Sequence, residues 1–242
     1  MAGESMLSTR SAGFLRAADR LLDWLFPRRC IGCGGEGDFL CARCAAAFPA
    51  LHPPLCPRCG FPLTSCTLCP DCSHLPLAID GIRSPYLHKG LARELVHSLK
   101  YDHFKALAGP AARLMARYLE AHPLPADLLI AVPIHSKRLR RRGYNQADLM
   151  ARKLSRFIGV PIVGEGVLVR IRDTDSQVGL GAQARRHNVA GAFACRQGVL
   201  TGKRILLIDD VCTTGATLSA CAVALKEAGA VSVWGFTFSR EC

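Results

Sequence analysis

The stretch that most constrains how this chain can fold is RILLIDDVCTTGAT, residues 204–217. Its first half is an apolar run typical of a buried strand, and the run ends in two adjacent carboxylates, Asp209 and Asp210. Small and hydroxylated residues follow, and a helical pattern then covers residues 216–228. A strand, a loop and a helix in this order are typical of α/β proteins, in which ligands bind at the carboxyl ends of the strands.

The loop in this stretch has the chemistry of a phosphate site. Backbone N–H groups of the loop and of the first helical turn converge on an anion, and the helix dipole assists them. Thr213, Thr214 and Thr217 add hydroxyl groups, and Gly215 allows the backbone to approach closely. The two carboxylates would repel a phosphate but suit neutral hydroxyls beside it, so a ribose 5-phosphate satisfies both halves. The alternative, a strand end followed by a threonine-capped helix, requires neither the paired acids nor the Thr-Thr-Gly-Ala-Thr run.

Residues 79–242 continue the alternation of apolar strands and helices. Two further buried strands are predicted at 127–132 and 231–238, and further helical patterns cover 89–100, 110–120 and 144–158. Gly229 directly follows the helix at 216–228, as a C-terminal glycine often does. The pattern predicts an α/β domain over residues 79–242, with a mostly parallel sheet flanked by helices.

Four C-x-x-C pairs precede this domain. Each pair can form a tight knuckle that aims two sulfurs at one ion, and two knuckles complete the tetrahedral thiolate site of a structural zinc. Gly34 and Gly60 follow two of the pairs, where the turn accepts a positive φ. The spacing predicts two structural Zn²⁺ sites with the ligands Cys30, Cys33, Cys41, Cys44, Cys56, Cys59, Cys69 and Cys72.

The cysteine pattern leaves some alternatives open. One of the two sites could be degraded, and an iron–sulfur cluster is a minor alternative. Cys66 could pair with Cys69 in place of Cys72, and the knuckles could pair across the two ribbons. Because four thiolates fill the coordination sphere of the metal, neither site is expected to be catalytic.

Composition and patterning predict three segments: an N-terminal helix within 1–27, a double zinc ribbon over 28–75 and the α/β domain over 79–242. Residues 11–26 form an amphipathic pattern expected to dock on other parts of the molecule, with a membrane-surface role as the alternative. Residues 28–75 are too short and too rich in Cys, Pro and Gly to form a core unaided.

The chain of 242 residues carries a net charge of +12, which favours polyanionic partners such as phosphorylated ligands or nucleic acid. It contains no apolar run of 18 residues and no signal-peptide core, so no membrane span is expected. Paired cysteines without a secretory signal indicate metal binding in a reducing compartment, and we expect a cytoplasmic protein.

Several motifs together resemble the ComF family of competence-related proteins. Asp209–Thr217 is similar to the phosphoribosyl-pyrophosphate (PRPP) motif of type I phosphoribosyltransferases. The cysteine knuckles and the later motifs narrow the resemblance to the ComF family. These later motifs are Leu99-Lys100-Tyr101, Val132-Pro133-Ile134-His135, Arg142-Gly143-Tyr144-Asn145-Gln146, Thr174, Gln177, Arg185, Asn188, Val189, Gly191 and Phe193.

The resemblance implies a type I phosphoribosyltransferase fold and a PRPP site. Asp209 and Asp210 would hold the ribose hydroxyls and would be the catalytic residues of an active enzyme. Mg²⁺ would arrive bound to PRPP, the segment after strand 127–132 would be the pyrophosphate loop, and residues 170–190 would be a mobile loop over the site. The 5′-phosphate would be held by Val211, Cys212, Thr213, Thr214, Gly215, Ala216 and Thr217.

Five cations between residues 137 and 142 agree with this assignment. Lys137 and Arg138 suit the pyrophosphate, because cations are needed there and arginine grips phosphate in a fork. Five cations exceed what one pyrophosphate requires, so we assign Arg140, Arg141 and Arg142 to a larger polyanion, single-stranded DNA. The alternative is a solvated basic turn.

Two functions of different classes follow. In the first, the chain binds PRPP and handles single-stranded DNA in competence, with DNA-uptake or helicase machinery as possible partners, as the resemblance suggests. In the second, it is an active phosphoribosyltransferase for an unidentified base. The surplus arginines and the metal ribbons favour the first, whereas the intact acidic pair is compatible with the second. No stretch of the sequence has the features of a nucleobase pocket.

Overall fold

The computed structural model describes residues 27–65, 67–74, 76–173 and 187–242. The predicted N-terminal helix at 11–26, Cys66 and most of the predicted mobile loop at 170–190 lie outside these ranges. The chain divides into two compact units, Met1–Ala47 and Phe48–Cys242. Among the described residues, every helix is too short or too polar to cross a membrane.

The described part of the first unit is built around one pair of cysteine knuckles. Arg29 and Glu36 form an antiparallel bridge and an ion pair at 3.2 Å. Helix α1 (Ala42–Ala46) begins within the second knuckle and contains Cys44, and the Cys41 sulfur accepts the N–H of Cys44 at its start. Because so few residues here are apolar and buried, a metal ion would have to supply most of the stability of this unit.

The second unit contains a parallel sheet in the order β1-β7-β6-β3, in which β2 also pairs with β7. The strands are β1 (Gly81–Arg83), β2 (Tyr86–Leu87), β3 (Leu128–Ala131), β6 (Arg204–Cys212) and β7 (Ser232–Arg240). A separate antiparallel pair is formed by β4 (Leu168–Arg170) and β5 (Phe193–Cys195). The helices are α2 (Pro70–His74), α3 (Gly90–Tyr101), α4 (Ala108–Ala121), α5 (Ser136–Arg142), α6 (Gln146–Ile158) and α7 (Ala216–Glu227).

Helices cover both faces of the sheet, as the continuous apolar strands require. Successive residues of a strand point to opposite faces. On β7, the ring of Phe236 stacks on Tyr118 of α4 with centroids 5.6 Å apart. Its neighbour Gly235 faces α7, where an added Cβ would lie 3.1 Å from Leu218. Residues of both faces are buried, and the cysteines Cys56, Cys59, Cys69 and Cys72 belong to the same core as the sheet.

The predicted fold class is confirmed, and the three predicted strands and four predicted helices are present with small shifts of their ends. The largest shift is in β6, which runs to Cys212 because its parallel pairing with β7 continues to the Cys212–Arg240 pair. The segment after β3 differs from the expectation of a loop, because Ser136–Arg142 form a helix. The short strands β1, β2, β4 and β5 have no clear signal in the sequence.

Candidate ligand cleft and metal sites

A cleft of about 840 Å³ opens at the carboxyl ends of β3 and β6, the edge of a parallel sheet at which ligands bind. Its acidic wall comes from the end of β6, and its basic wall comes from α5. The residues of the predicted phosphate loop form its floor. The charged residues that line it are Lys100, Lys137, Arg138, Arg141, Arg142, Arg170, Asp173, Asp209, Asp210 and Glu241.

The acidic wall consists of the predicted carboxylate pair. Asp209 is half-buried, and its Oδ1 accepts the backbone N–H of Asp210 at 2.8 Å. Asp210 is only 3% exposed, and its Oδ2 lies 2.9 Å from the ammonium of Lys100 on α3. The ion pair compensates the buried charge of Asp210, and it fixes the carboxylate at the edge of the cleft.

The surroundings of the acidic pair shift two pKa values. Burial, reinforced by the charge of Asp210, raises the pKa of Asp209 to about 7. Burial would lower the pKa of Lys100, but the charge of Asp210 outweighs it and the pKa is raised. Asp209 can therefore change its charge near neutral pH, whereas Lys100 stays positive.

The predicted phosphate loop joins β6 directly to α7. Gly215 adopts a φ of +77°, and an added Cβ there would lie 2.7 Å from Cδ1 of Ile82, so both conformation and packing require glycine. The Thr214 hydroxyl accepts the N–H of Ala216 at 3.3 Å, at the start of α7. Of the predicted loop residues, all but Thr214 line the cleft.

The basic wall is the exposed helix α5, with a cap at each end. The His135 ring accepts the N–H of Lys137 at 3.4 Å, and Gly143 ends the helix with a φ of +76°. These caps explain why the segment forms a helix rather than the expected loop.

Helix α5 places four of the five predicted cations on the cleft side and leaves one outside the cleft. This follows from helical geometry, because residues four apart share a face. Lys137 and Arg138 line the cleft together with Arg141 and Arg142, whereas Arg140 lies outside the lining and is exposed. Arg142 also donates to the side chain of Gln146 and stacks over the ring of Tyr101 at 5.6 Å. The proposed pyrophosphate and nucleic-acid residues therefore share one wall, with Arg140 as the exception.

An ion pair between Lys137 and Asp173 occupies part of this wall. Asp173 lies 3.1 Å from the Lys137 ammonium and 3.3 Å from Nδ1 of His135. The hydrogen bond from Lys137 is the largest contribution that lowers the pKa of Asp173. Asp173 thus neutralises part of the wall to which the sequence assigns the pyrophosphate.

The eight predicted cysteine ligands form two separate groups of four, Cys30, Cys33, Cys41 and Cys44, and Cys56, Cys59, Cys69 and Cys72. In each group all sulfurs lie within 4.8 Å of one another. The sulfurs of Cys33 and Cys41 are 3.8 Å apart, and those of Cys59 and Cys69 are 3.6 Å apart. A tetrahedral zinc ion with Zn–S bonds of about 2.3 Å separates its sulfurs by about 3.8 Å, so both groups fit zinc.

Both groups have the geometry of metal knuckles. Gly34 and Gly60 have φ values of +69° and +72°, as the sequence predicts. Their N–H groups donate to the carbonyls of Cys30 and Cys56 at 2.8 and 2.9 Å. Backbone hydrogen bonds therefore shape both knuckles, and the four sulfurs of each group lie around one point.

The thiol pKa values of each group are strongly separated. Burial would raise the pKa of Cys30, but backbone N–H groups, led by that of Cys41, outweigh it and lower the pKa to about 6. In the same group the hydrogen bond to Cys41, followed by burial, raises the pKa of Cys44 to about 12. In the second group, burial would raise the pKa of Cys56, but backbone N–H groups, led by that of Cys59, lower it to about 6, whereas burial raises the pKa of Cys72 to about 12. Four close thiols cannot all ionise without a cation between them, and a bound metal ion supplies that cation.

Sequence reasoning gave no role to three basic residues of the second unit. Lys100 belongs to the Leu99-Lys100-Tyr101 motif, so the sequence drew attention to this residue. It did not predict the ion pair of Lys100 with Asp210. Arg170 lines the cleft from β4, and its guanidinium lies 5.4 Å from the ring of Phe193. Arg240 is a buried charge at the end of β7. The last two carry no local signal, since only the folding of the sheet brings them to the site.

Comparison with known families agrees with the two parts of the molecule. Residues 21–73 match the model of the double zinc ribbon domain, and residues 139–235 match that of the phosphoribosyl transferase domain. Among solved structures, a glutamine PRPP amidotransferase from Bacillus subtilis is 21% identical with a TM-score of 0.37 over 54% of this chain and 26% of that one. The adenine phosphoribosyltransferase of Thermoanaerobacter pseudethanolicus is 16% identical with a TM-score of 0.33 over 62% and 83%.

Three relatives cover most of the chain. DNA utilization protein YhgH of Salmonella typhi is 34% identical over 81% of this chain and 88% of its own length. Competence protein F of Haemophilus influenzae is 31% identical over 87% and 96%, and competence protein ComFC of Bacillus subtilis is 27% identical over 84% of both. With its double zinc ribbon, its phosphoribosyltransferase domain and these relatives, the chain belongs to the ComF family of competence-related proteins.

Proposed function

We propose that the cleft binds PRPP with Mg²⁺ and that the protein handles single-stranded DNA in a competence-related process. The observation that carries the first half is the acidic pair beside the threonine loop, facing a wall of cations in the same cleft. Asp209 and Asp210 accept hydrogen bonds from the 2′- and 3′-hydroxyls of the ribose. The 5′-phosphate is held by the loop from Val211 to Thr217, and the pyrophosphate by Lys137 and Arg138.

The two walls support this placement through their charge. A carboxylate pair repels phosphate, so the sugar lies nearer to β6 and the phosphates lie nearer to the loop and to α5. The ion pair with Lys100 holds the Asp210 carboxylate in place, which prepares it as an acceptor. Mg²⁺ bound to the ligand would neutralise part of the charge of the pyrophosphate oxygens, beside Lys137 and Arg138. Asp173 has to release Lys137 for the anion to take its place.

The second half of the proposal rests on the cations that remain and on the relatives. Arg141 and Arg142 extend the basic wall, and Arg140 points the same charge away from the cleft. A net charge of +12 favours a polyanion. Relatives named for DNA utilization and competence make single-stranded DNA the polyanion to test, with DNA-uptake or helicase machinery as the class of partner.

An active phosphoribosyltransferase is the alternative, and the intact acidic pair favours it. In that case a base attacks C1 of the ribose as pyrophosphate leaves, and Asp209 and Asp210 act as catalytic residues by holding the sugar in position. Release of pyrophosphate from PRPP in the presence of a panel of bases distinguishes this activity from binding alone.

The test of the proposed function is a titration of PRPP and of single-stranded DNA into the same preparation. We expect PRPP to bind only with Mg²⁺, and DNA to bind with a salt-dependent affinity. Because Arg141 and Arg142 line the PRPP cleft, saturation with PRPP should weaken DNA binding without abolishing it. Absence of PRPP binding would overturn the first half of the proposal, and absence of DNA binding the second.

We propose further that each cysteine group holds one structural zinc ion. Elemental analysis of the purified protein should find about two zinc ions per chain and no iron. One zinc ion would mean that one ribbon does not bind metal, and iron in place of zinc would indicate a cluster.

A further inference from the structure

Arg240 is the last residue of β7, and its side chain is buried at 3% exposure. One amino group of its guanidinium donates to the carbonyl of Cys59 at 2.6 Å and to the sulfur of Cys212 at 3.0 Å. The other amino group lies 3.5 Å from the sulfur of Cys59. Cys59 belongs to the second metal group and Cys212 to the phosphate loop, so a single side chain contacts both.

A loaded metal group supplies the negative charge that a buried guanidinium at this position needs. A buried guanidinium is costly unless negative charge compensates it. Its acceptors are sulfurs and a carbonyl, and a zinc ion bound by four thiolates keeps a net charge of about −2. The tetrathiolate of the second group therefore provides the counter-charge of Arg240.

A second path joins the same two regions. The N–H of Ile82 in β1 donates to the carbonyl of Arg58 in the knuckle at 2.8 Å. An added Cβ on Gly60 of the knuckle would lie 2.7 Å from the Ile82 carbonyl, and one on Gly215 of the phosphate loop would lie 2.7 Å from its side chain. Ile82 thus packs between the knuckle and the loop, with no space on either side.

We infer that Arg240 is a positioning residue that couples the second zinc group to the phosphate loop, so that the metal held by that group determines how tightly the cleft binds its ligand. The choice of PRPP as that ligand rests on the proposed function. The coupling itself rests on the contacts of Arg240 and Ile82.

The test uses the full-length protein in a Cys33→Ser background, in which only the second group is expected to retain zinc. Two readouts are measured: the rate of zinc release into EDTA without Mg²⁺, and the affinity for PRPP with Mg²⁺ by calorimetry. Arg240→Met should release zinc about tenfold faster and bind PRPP about tenfold more weakly. Arg240→Lys keeps the positive charge but loses the two-pronged guanidinium. Its zinc release rate and its PRPP affinity should therefore lie between those of Arg240→Met and of the parent.

Two controls separate coupling from general damage. Cys33→Ser alone should bind PRPP within twofold of wild type, because it removes the first metal only. Cys212→Ala should keep the zinc release rate of its parent, because Cys212 contacts Arg240 from the loop side and is not a metal ligand. Its PRPP affinity does not report on the coupling, since Cys212 itself lines the cleft. If Arg240→Met does not fold, by circular dichroism, Arg240→Lys decides the question.

The inference is wrong if the Arg240 variants have the same zinc release rate and the same PRPP affinity as their parent. It is also wrong if Cys33→Ser alone weakens PRPP binding as much as the Arg240 variants do. If the wild-type protein binds no PRPP, the proposed ligand is wrong and the claim about ligand affinity falls with it. The zinc-release measurement then still decides whether Arg240 stabilises the metal.

Discussion

The acidic wall of the cleft belongs to the buried centre of the sheet, whereas the basic wall is a seven-residue helix, fully described and without a buried side chain. Asp209 and Asp210 are held by β6, which pairs on both sides with β3 and β7. Helix α5 is held by a cap at each end and by the ion pair of Lys137 with Asp173. The acids therefore have fixed positions, while the exposed cations keep the side-chain freedom to follow a phosphate chain.

This difference suggests strict recognition of a sugar on one wall and tolerant recognition of phosphate on the other. A ligand with both groups, such as PRPP, would use both walls, whereas a nucleic-acid backbone would need mainly the basic one. Variants that alter one wall at a time should therefore separate the two ligands.

The largest effect is expected from removing both charges of the acidic wall. Asp209→Asn combined with Asp210→Asn should weaken PRPP binding at least about a hundredfold, since each charge-assisted hydrogen bond contributes about 1.5–3 kcal/mol. DNA affinity should not fall, because the basic wall is unchanged. Calorimetry and a DNA titration on the same variant check both statements, and equal PRPP affinity in the variant would remove the acids from the site.

A tenfold effect is expected from pH. Asp209, with its pKa raised to about 7, is mostly neutral at pH 6 and mostly ionised at pH 8. If the carboxylate accepts the ribose hydroxyl, PRPP affinity should increase about tenfold over this range. The Asp209→Asn variant is the control, and its affinity should lack this dependence. A wild-type profile identical to that of the variant would contradict the role of Asp209.

The same shift predicts an opposite trend in stability. The folded protein holds a proton on Asp209 that the unfolded chain releases near pH 4, so ionisation costs stability as the pH rises toward and through 7. Asp209→Asn should reduce this loss, as thermal melting between pH 6 and 8 would measure. A melting temperature with the same pH dependence in both proteins would mean that Asp209 is not the responsible group.

The smallest effect is expected on the basic wall. Replacing Arg140 and Arg141 together with Ala should make the slope of log affinity for single-stranded DNA against log salt shallower by about 1 to 1.5, at about 0.7 per phosphate contact. The single variants should differ, because Arg141 lines the cleft and Arg140 does not. Arg140→Ala should change DNA binding alone, and Arg141→Ala should also weaken PRPP. An unchanged slope in the double variant would place the DNA elsewhere.

The two walls also differ in how far they could be predicted. The end of β6 was predictable because a buried strand, an acidic pair and a glycine-threonine loop are adjacent in the sequence. The helical form of α5 was not, because a short run of cations resembles a solvated turn until its caps, His135 and Gly143, are seen in place.

Contacts between distant segments escaped prediction for a different reason. Lys100 meets Asp210, and Arg240 meets Cys59, only after the parallel sheet has brought the strand ends together. The identity of the eight cysteine ligands was predictable, because they stand in four C-x-x-C pairs. Their pairing into Cys30–Cys44 and Cys56–Cys72 groups, rather than crossed groups, required the structure.

The most direct test of the central claim is a crystal structure of the protein with Mg²⁺ and PRPP. The account predicts the ribose 2′- and 3′-hydroxyls within about 3.0 Å of the carboxylates of Asp209 and Asp210, with the pyrophosphate against Lys137 and Arg138. A complex in which the phosphates bind along α5 while the sugar stays clear of Asp209 and Asp210 would contradict it.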